Sequence, residues 1–336
     1  MSRKRELQPL PLNFENVVLK DRENHKHLGV ILQNNCKWDA DIKSLIARNH
    51  ILIVRLRSYK HRLSRKSLEN MYKSFILPLF DYADVVWDNC TIKLADELEQ
   101  LHLDAIRTVT GAVRGTSHQS LYKESGFSTL SERRRRHKII LYHKIVNGNP
   151  PPYLELLQPS LVSAINPYHR HRPLQRLIPP HKTELYKSSF FPSTNIFWNN
   201  LPDNIQRNTP INETKKHLKR NDNSVPAYVY IGARRPQITH TKLRLHSSDL
   251  NQDLANRHVS NDPSCKCGAA SETVEHYLLQ CPLYTEVRNY TIQTLTPHYI
   301  TIPVLLSGDP NLPSATNSAV FLTVDEFIVR TKRFVL

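Results

Sequence analysis

Glycine is scarce in this sequence, and its few glycines do not form a nucleotide-binding loop. The 336 residues include only eight glycines, well below the ~7% of an average protein. None stands in a Gly-x-Gly-x-x-Gly pattern or in a Gly-Lys-Ser/Thr loop, the two glycine-rich sequences that hold phosphates through backbone N–H groups. Nucleotide sites of those two types are therefore excluded.

Long apolar runs and a disulfide pattern are also lacking. No window approaches the ~18 uninterrupted apolar residues of a membrane helix, and the basic residues 1–5 lack the apolar run of a secretory signal. Cys36 and Cys90 stand alone, and the other three of the five cysteines have a metal-ligand spacing. The sequence predicts a soluble, intracellular protein from a reducing compartment, with no membrane partner.

Three of the cysteines lie within seventeen residues, together with one histidine. Cys265 and Cys267 are separated by one residue, Gly268 can turn the chain after them, and His276 and Cys281 complete the set. Short-spaced thiolate and imidazole ligands are the usual way in which a chain binds zinc tetrahedrally. We predict a structural zinc ion on these two pairs. The alternative is three buried free cysteines beside an incidental histidine.

The spacing of His276 and Cys281 predicts where the local helix ends. Five residues place them about 140° apart on an α-helix. Both can therefore reach one metal only if the helix, predicted to begin near Glu272, stops before Cys281. Pro282 is expected to stop it, because the residue before a proline is pushed out of the α region.

Positive charge is abundant and unevenly distributed. The chain has 46 Lys and Arg against 30 Asp and Glu, a net charge of +16. Residues 261–336 hold five Lys/Arg against seven Asp/Glu, so residues 1–260 hold 41 against 23. A polyanionic partner, RNA or DNA, is therefore expected to bind the region before residue 261. The alternative is a basic surface that only keeps the protein in solution.

From residue 39 onward, the hydrophobic pattern predicts three amphipathic helices with short connections, after a strand at residues 27–32. Pro78 is expected to kink the second helix. The three predicted apolar faces are Ile42, Leu45, Ile46, Ile53 and Leu56; Leu68, Met71, Tyr72, Phe75, Leu79, Tyr82 and Val86; and Leu94, Leu98, Leu101, Ala105 and Val109.

A further helix is predicted to carry a run of arginines. Thr129-Leu-Ser-Glu132 is a capping box, so the helix begins there and runs to Asn147-Gly148. Four consecutive arginines surround most of a turn and cannot all face one phosphate strand. The alternative is therefore that two of them are simply solvated. We predict nucleic-acid contacts from Arg133, Arg134, Arg135, Arg136 and Lys138.

Tyr82-Ala-Asp84-Val85 looks like most of the Tyr-x-Asp-Asp box of polymerases, but its second aspartate is missing. That box needs a β-hairpin on which adjacent carboxylates hold two Mg²⁺ ions, whereas the pattern around Tyr82 is helical. No Asp-Asp pair occurs anywhere in the sequence. We therefore predict no catalytic residue in this chain.

Half of the 22 prolines lie between Pro150 and Pro210. This stretch is too aromatic for disorder and too rich in proline for regular structure, which predicts a docked, irregular connector. The expected architecture is mainly α: a short β segment at residues 1–38, a small helical bundle at 39–149, the connector at 150–225 and a zinc-stabilised α module at 226–336.

Several of these stretches together resemble the C-terminal portion of the reverse transcriptases of non-LTR retrotransposons. The run from Cys265 to Tyr284, with Arg288 beyond it, looks like their zinc-binding segment, and residues 68–111 resemble their thumb. Residues 27–42 are similar to the signature that follows the polymerase palm, with His27 in place of an aromatic residue and Asp41 where histidine is common. Residues 189–202, 241–244 and 331–334 extend the resemblance.

The resemblance implies a fragment of a jockey-like RNA-directed DNA polymerase. In this family the endonuclease and the palm with its Mg²⁺-binding aspartates precede this region, so Mg²⁺ would belong to the missing polymerase core. The chain alone is then expected to be inactive. Its thumb would grip the RNA/DNA template-primer, and its zinc module would help to engage element RNA. Association with a complete element polymerase is implied, and of the nucleus and the cytoplasm the resemblance favours the nucleus.

Two other functions compete with this interpretation. The first is a stand-alone, non-enzymatic nucleic-acid-binding zinc protein, derived from a domesticated element. The second is a zinc hydrolase, for which Glu272 or Glu275 would be the general base. A hydrolase needs an open coordination position, however, and three sulfurs with one histidine close the predicted site.

Overall fold

A computed structural model describes residues 13–14, 17–18, 22–165, 174–207, 209–219 and 224–334, the first two pairs as backbone only. The remaining residues of the predicted segment 1–38 lie outside this description. The described chain is mainly helical, as predicted, with short β-hairpins near its N-terminus. None of the described helices is both long enough and apolar enough to cross a membrane.

The strands pair antiparallel, β1 (Asn13–Phe14) with β2 (Val17–Val18) and β3 (Asn24–His27) with β4 (Val30–Gln33). The first described α-helices are α1 (Asp39–Ser58), α2 (Arg65–Met71), α3 (Leu77–Asp81), α4 (Asp84–Trp87), α5 (Ile92–Thr110), α6 (His118–Ser125), α7 (Leu130–Asn147), α8 (Pro152–Glu155) and α9 (Val162–Ile165). The later ones are α10 (Glu184–Lys187), α11 (Phe190–Asn199), α12 (Asp203–Gln206), α13 (Ile211–Lys219), α14 (Arg234–Arg244), α15 (Asn251–Asn256), α16 (Thr285–Tyr290), α17 (Ile302–Ser307) and α18 (Ser314–Thr331).

Helical segments of other types complete the described secondary structure. Two π-helices span Tyr72–Ile76 and His276–Gln280. Short 3₁₀-helices span Ala227–Tyr230, Pro282–Tyr284, Ile292–Thr294 and Pro297–Tyr299.

The chain forms two compact units, each built from segments that are distant in sequence. Unit 1 consists of residues 1–50, 77–100 and 128–222, and unit 2 of residues 51–76, 101–127 and 223–336. Residues 39–149, predicted as one bundle, therefore contribute to both units.

Unit 1 is organised around α7. The Thr129 side chain accepts a hydrogen bond from the backbone N–H of Glu132 at 3.0 Å, which confirms the predicted helix start. The Glu99 carboxylate accepts a second bond, from the N–H of Leu130 at 3.0 Å, and places a negative charge at the positive end of the helix dipole. Farther along α7, Tyr142 packs against Trp198 of α11, and both side chains are buried.

Unit 2 has a core around α18. Val324, Phe327 and Ile328 of this helix are buried against Leu243 of α14 and Tyr277 of the second π-helix. The Tyr277 hydroxyl is 2.7 Å from the Thr331 hydroxyl. This core therefore connects the C-terminal helix directly to the segment that carries His276.

The apolar faces predicted for α1 and α5 are confirmed, but the second predicted helix is not continuous. It divides into α2, the Tyr72–Ile76 π-helix, α3 and α4, and Ala83 has a left-handed φ of 54° between the last two. Phe75, Tyr82 and Val86 are consequently exposed, whereas Leu68 and Tyr72 are buried as predicted. The backbone ahead of Pro78 rearranges over a π turn, because proline cannot donate a helical hydrogen bond.

Two further local predictions are corrected. The run at residues 27–32 spans the end of β3, a two-residue turn and most of β4, because Leu28 and Gly29 both have positive φ, as a tight two-residue turn requires. The predicted irregular connector contains helices, of which α11 and α13 have ten and nine residues. Pro192 lies in the first turn of α11, where the N–H that proline lacks would have no acceptor within the helix. Burial of Trp198 stabilises this helix.

Candidate metal centre

The first half of the predicted metal site is a tight turn. The Gly268 N–H donates to the Cys265 carbonyl at 2.9 Å, and the Cys265 N–H donates to the Ala269 carbonyl at 2.9 Å. Gly268 has a φ of 95°, a conformation that side-chain-bearing residues rarely adopt. This reversal is what allows two cysteines only one residue apart to turn their sulfurs toward the same point, as the sequence predicted.

The second half is the π-helix His276–Gln280. Its hydrogen bonds run from residue i+5 to residue i, and the Cys281 N–H donates to the His276 carbonyl at 2.7 Å. The helical segment begins at Val274, slightly later than predicted, and Cys281 leaves it with a ψ of 121°. The prediction that the helix ends before Cys281 is confirmed. The wider π turn brings His276 and Cys281, which are five residues apart, close together.

The four predicted ligands converge. Their ligand atoms all lie within 4.8 Å of one another. The sulfurs of Cys265 and Cys281 are 3.8 Å apart, and the Cys267 sulfur is 3.2 Å from Nε2 of His276. Zn–S bonds of about 2.3 Å at tetrahedral angles give a sulfur–sulfur distance of about 3.8 Å. The cluster therefore fits a tetrahedral metal ion such as zinc, held through three sulfurs and one nitrogen.

The backbone behind the ligands is anchored by buried charged side chains. Arg288 donates from Nη2 to the Cys281 carbonyl and from Nε to the Leu278 carbonyl, both at 2.8 Å. Glu272 accepts two bonds from Arg333, at 2.6 and 2.7 Å, and one from the Asn251 N–H at 2.8 Å. Glu272 is therefore engaged in holding the loop, which argues against the role of general base that a hydrolase would require.

The thiols differ in their affinity for protons. Burial raises the pKa of Cys265 and raises that of Cys281 to about 12. A hydrogen bond from the Ala269 backbone N–H is the main cause that lowers the pKa of Cys267. Metal ligands must bind as thiolates, so a bound cation would displace protons from the two buried sulfurs.

The arginine run on α7 is largely occupied by ion pairs within unit 1. Arg133 pairs with Asp81, and Arg134 donates from Nε to Asp88 at 2.8 Å. Lys138 is 1% exposed and donates from Nζ to Asp88 at 2.7 Å and to the Ser193 hydroxyl at 2.6 Å. Of the five predicted nucleic-acid contacts, the structure leaves Arg135 exposed and Arg136 half-buried.

Asp84 belongs to a second cluster that the sequence did not predict. One carboxylate oxygen of Asp84 is 2.5 Å from Nδ1 of His137, and Asp81 lies beside them. The hydrogen bond to Asp84 raises the pKa of His137, while burial raises that of Asp84. Asp81 and Asp84 therefore already have partners inside the protein, Arg133 and His137.

Sequence reasoning also missed a basic cavity in unit 2. It is lined by Arg57, Lys60, His61, Arg107, Arg114 and Lys242, which come from α1 and its following turn, from α5 and its following loop, and from α14. No single stretch of the sequence reveals this cluster, because its members are spread over nearly 190 residues and only the tertiary fold brings them together.

No protein-family model, curated protein or solved structure matches this chain.

Proposed function

We propose that this chain is a non-catalytic nucleic-acid-binding region of the kind that follows the polymerase core in non-LTR retrotransposon reverse transcriptases. In this proposal the basic helices bind the phosphate backbone of RNA or DNA. A zinc ion on Cys265, Cys267, His276 and Cys281 stabilises the C-terminal module and takes no part in chemistry.

The observation that carries nucleic-acid binding is the distribution of charge. Residues 1–260 hold 41 Lys/Arg against 23 Asp/Glu, whereas the remaining residues are slightly acidic. Most of the affinity for a phosphate backbone comes from counterions that are released when cations neutralise phosphates. The basic cavity of unit 2 adds a local concentration of charge to this global excess.

The choice of zinc rests on the donor set. Three thiolates and one imidazole are soft or borderline ligands, which select zinc over Mg²⁺ or Ca²⁺. The buried positions of Cys265 and Cys281 and the bonds that hold Glu272 favour a closed, structural site. Zinc would then contribute folding energy to the module that contains the α18 core.

Filter binding of the full chain across a range of salt concentrations tests the proposal. We expect binding to random-sequence RNA and DNA with little sequence preference. The logarithm of the affinity should fall linearly with the logarithm of salt concentration, by about 0.7 to 0.9 per phosphate contacted. Absence of binding at low salt would refute the proposal.

A further inference from the structure

The basic cavity of unit 2 has a volume of about 570 Å³, within the ~300 to 1,000 Å³ of ordinary ligand sites. Five of its lining residues are Lys or Arg and one is His, whereas Asp104 is the sole carboxylate among the lining residues that the structure describes. The walls are completed by small and apolar groups such as Thr108, Ala112 and Ile238. Such a surface is suited to an anion and not to an apolar ligand.

Buried Arg234 holds the cavity together from behind. Its Nε atom donates to the Lys60 carbonyl at 2.9 Å, and Nη2 donates to the carbonyls of Thr108 and Val109 at 3.1 and 2.8 Å. One guanidinium thus joins the turn after α1 to the last turn of α5. The arrangement brings Lys60 next to the end of α5, and it adds a further positive charge behind the cavity.

Gly111 allows α14 to form the remaining wall of the cavity. It has a φ of 89°, and a Cβ atom at this position would lie 2.7 Å from Cγ1 of Ile238 in α14. Only a residue without a side chain lets α14 approach the loop after α5 this closely. The close approach places Lys242, one turn beyond Ile238, on the same cavity as Arg107 and Arg114.

The positive charges of the cavity are incompletely neutralised within the protein. Asp104 lies 3.0 Å from Arg107 and 3.7 Å from Arg57, so it serves two cations, and Asp249 lies 2.9 Å from Lys242. Nε of Arg107 is buried and has no hydrogen-bond partner among the described residues. Burial, with the charges of Lys242, Arg234 and Arg57, lowers the pKa of Lys60 to about 8.

This electrostatic arrangement costs folding stability. When folding lowers the pKa of a lysine, its charged form is less stable in the folded protein than in the unfolded chain. The positive charge therefore opposes folding near neutral pH. The pKa of His61 is lowered for the same reasons, burial first and then the charges of Lys60 and Arg234. An anion in the cavity would offset the repulsion between these positive charges.

We propose that the basic cavity is a phosphate-binding subsite, in which Lys60, Arg107, Arg114 and Lys242 hold neighbouring phosphates of a bound nucleic-acid strand. This inference rests on the proposed function and locates part of its binding surface in unit 2. The cations on three separate elements would hold phosphates from several sides.

The test uses the full chain with Lys60→Gln and Arg114→Gln combined. Neither residue forms an ion pair with a carboxylate among the described residues, and Arg114 is exposed. The control is Lys215→Gln with Lys216→Gln, two exposed lysines on α13 of unit 1. Both double variants lose two positive charges, one from the basic cavity and the other from a helix of unit 1.

Binding is measured to a short polyuridine and, separately, to inorganic tripolyphosphate. At 0.1 M salt, we expect the cavity variant to lose roughly 25-fold in RNA affinity and about 1.4 units of salt slope, the effect of two contacts to a single strand at ~0.7 each. It should also lose tripolyphosphate binding, and its thermal stability should stay equal or rise. The control should change RNA affinity much less and leave tripolyphosphate binding unchanged.

Proton uptake provides a second measurement. Lys60 faces Arg57, His61, Asp104, Arg234 and Lys242, and its lowered pKa of about 8 leaves it about half protonated at pH 8. Lys60 should therefore contribute uptake of up to about half a proton when tripolyphosphate binds at that pH. Calorimetry in two buffers of different ionisation enthalpy measures the net proton exchange, and the difference between wild type and Lys60→Gln gives the share of Lys60, because the ionisation of tripolyphosphate itself is common to both.

The outcomes separate the inference from the proposed function. If the wild-type chain binds RNA and the cavity variant binds it equally well, the cavity inference is refuted and nucleic-acid binding stands. If the wild-type chain binds no nucleic acid, the proposed function fails and the inference fails with it. Loss of affinity in both double variants to the same extent would show a diffuse charge effect and would also overturn the subsite.

Discussion

Nζ of Lys138 lies 2.7 Å from a carboxylate oxygen of Asp88, inside unit 1, on the helix that carries four consecutive arginines. The same ammonium donates to the Ser193 hydroxyl of α11, so a residue that the sequence assigned to nucleic-acid binding instead joins three segments of the fold. Buried cations need such partners, because an unpaired charge in the interior is very costly.

The first prediction concerns this ion pair. Lys138→Met should destabilise the protein by about 2 kcal/mol, because Asp88 loses a partner while the new side chain still packs. RNA affinity at a given salt concentration should change little. Urea unfolding and filter binding provide the two readouts. The matched comparison is Arg135→Gln, at the exposed position of the run, which should lower RNA affinity and change stability little. A large loss of affinity in stably folded Lys138→Met would contradict this assignment.

The second prediction is that the chain holds one metal ion in the Cys/His cluster. Cys281→Ser should lose the metal and make the chain sensitive to proteases after about Asp262, since Tyr277 and Leu278, between the ligands His276 and Cys281, belong to the α18 core. Metal analysis of protein purified without added metal, together with limited proteolysis, tests this. Cys90→Ser is the control, because Cys90 lies outside the cluster. Wild-type protein without zinc would refute the assignment.

The third prediction concerns Glu124, which accepts hydrogen bonds from Arg65 and Arg244 in unit 2. Burial alone would raise the pKa of Glu124, but the charges and hydrogen bonds of Arg244 and Arg65 outweigh it and hold the pKa at about 2. Replacement by glutamine leaves two guanidinium groups without their counter-charge. We expect Glu124→Gln to cost about 3 to 5 kcal/mol at neutral pH.

The same lowered pKa predicts an acid dependence. Because the folded-state pKa lies below the ordinary value of 4.5, the contribution of Glu124 is complete above about pH 4.5 and is lost as the pH falls toward 2. Wild-type stability should therefore drop more steeply than that of Glu124→Gln between pH 5 and pH 2. Equal slopes in urea unfolding across this range would contradict the ion-pair account.

The fourth prediction separates steric fit from backbone strain at two glycines. Gly111 and Gly115 both have positive φ, at 89° and 92°, but only at Gly111 would a Cβ meet Ile238. Gly111→Ala should cost about 2 to 4 kcal/mol, and Gly115→Ala only the ~1 kcal/mol of the strained backbone. Combining Gly111→Ala with Ile238→Ala should relieve the contact but leave the strain. Equal effects of the two single alanine substitutions on unfolding free energy would disprove the close-packing explanation.

The fifth prediction is that the chain alone does not extend a primer. Phosphoryl transfer by a polymerase needs carboxylates that clamp two metal ions, whereas Asp84 begins the short helix α4 and is bound to His137. Primer extension on an RNA template with Mg²⁺ measures this directly. Template-dependent incorporation that Asp84→Asn abolishes would show that the Tyr82–Asp84 segment is catalytic after all.

Local signals predicted much of the secondary structure. The capping box at Thr129 located the start of α7, and the apolar periods of α1 and α5 located their buried faces, because these features depend on neighbours within one or two turns. The helix around Phe75 and Tyr82 was predicted as continuous. It is broken because the chain has to rearrange ahead of Pro78 and reverse at Ala83, which the period of the apolar residues does not reveal.

The sequence by itself determined the ligand set at Cys265, Cys267, His276 and Cys281, since the donors lie close together along the chain and only a short loop has to close. It also determined the excess of positive charge before residue 261. The tertiary structure decided which of those charges remain available: it buried Lys138 and Arg134 against Asp88, and it gathered Lys60, Arg107, Arg114 and Lys242 around one cavity. The physical reason is distance along the chain, because ion pairing and charge clustering between segments 50 to 180 residues apart depend on packing that no local pattern encodes.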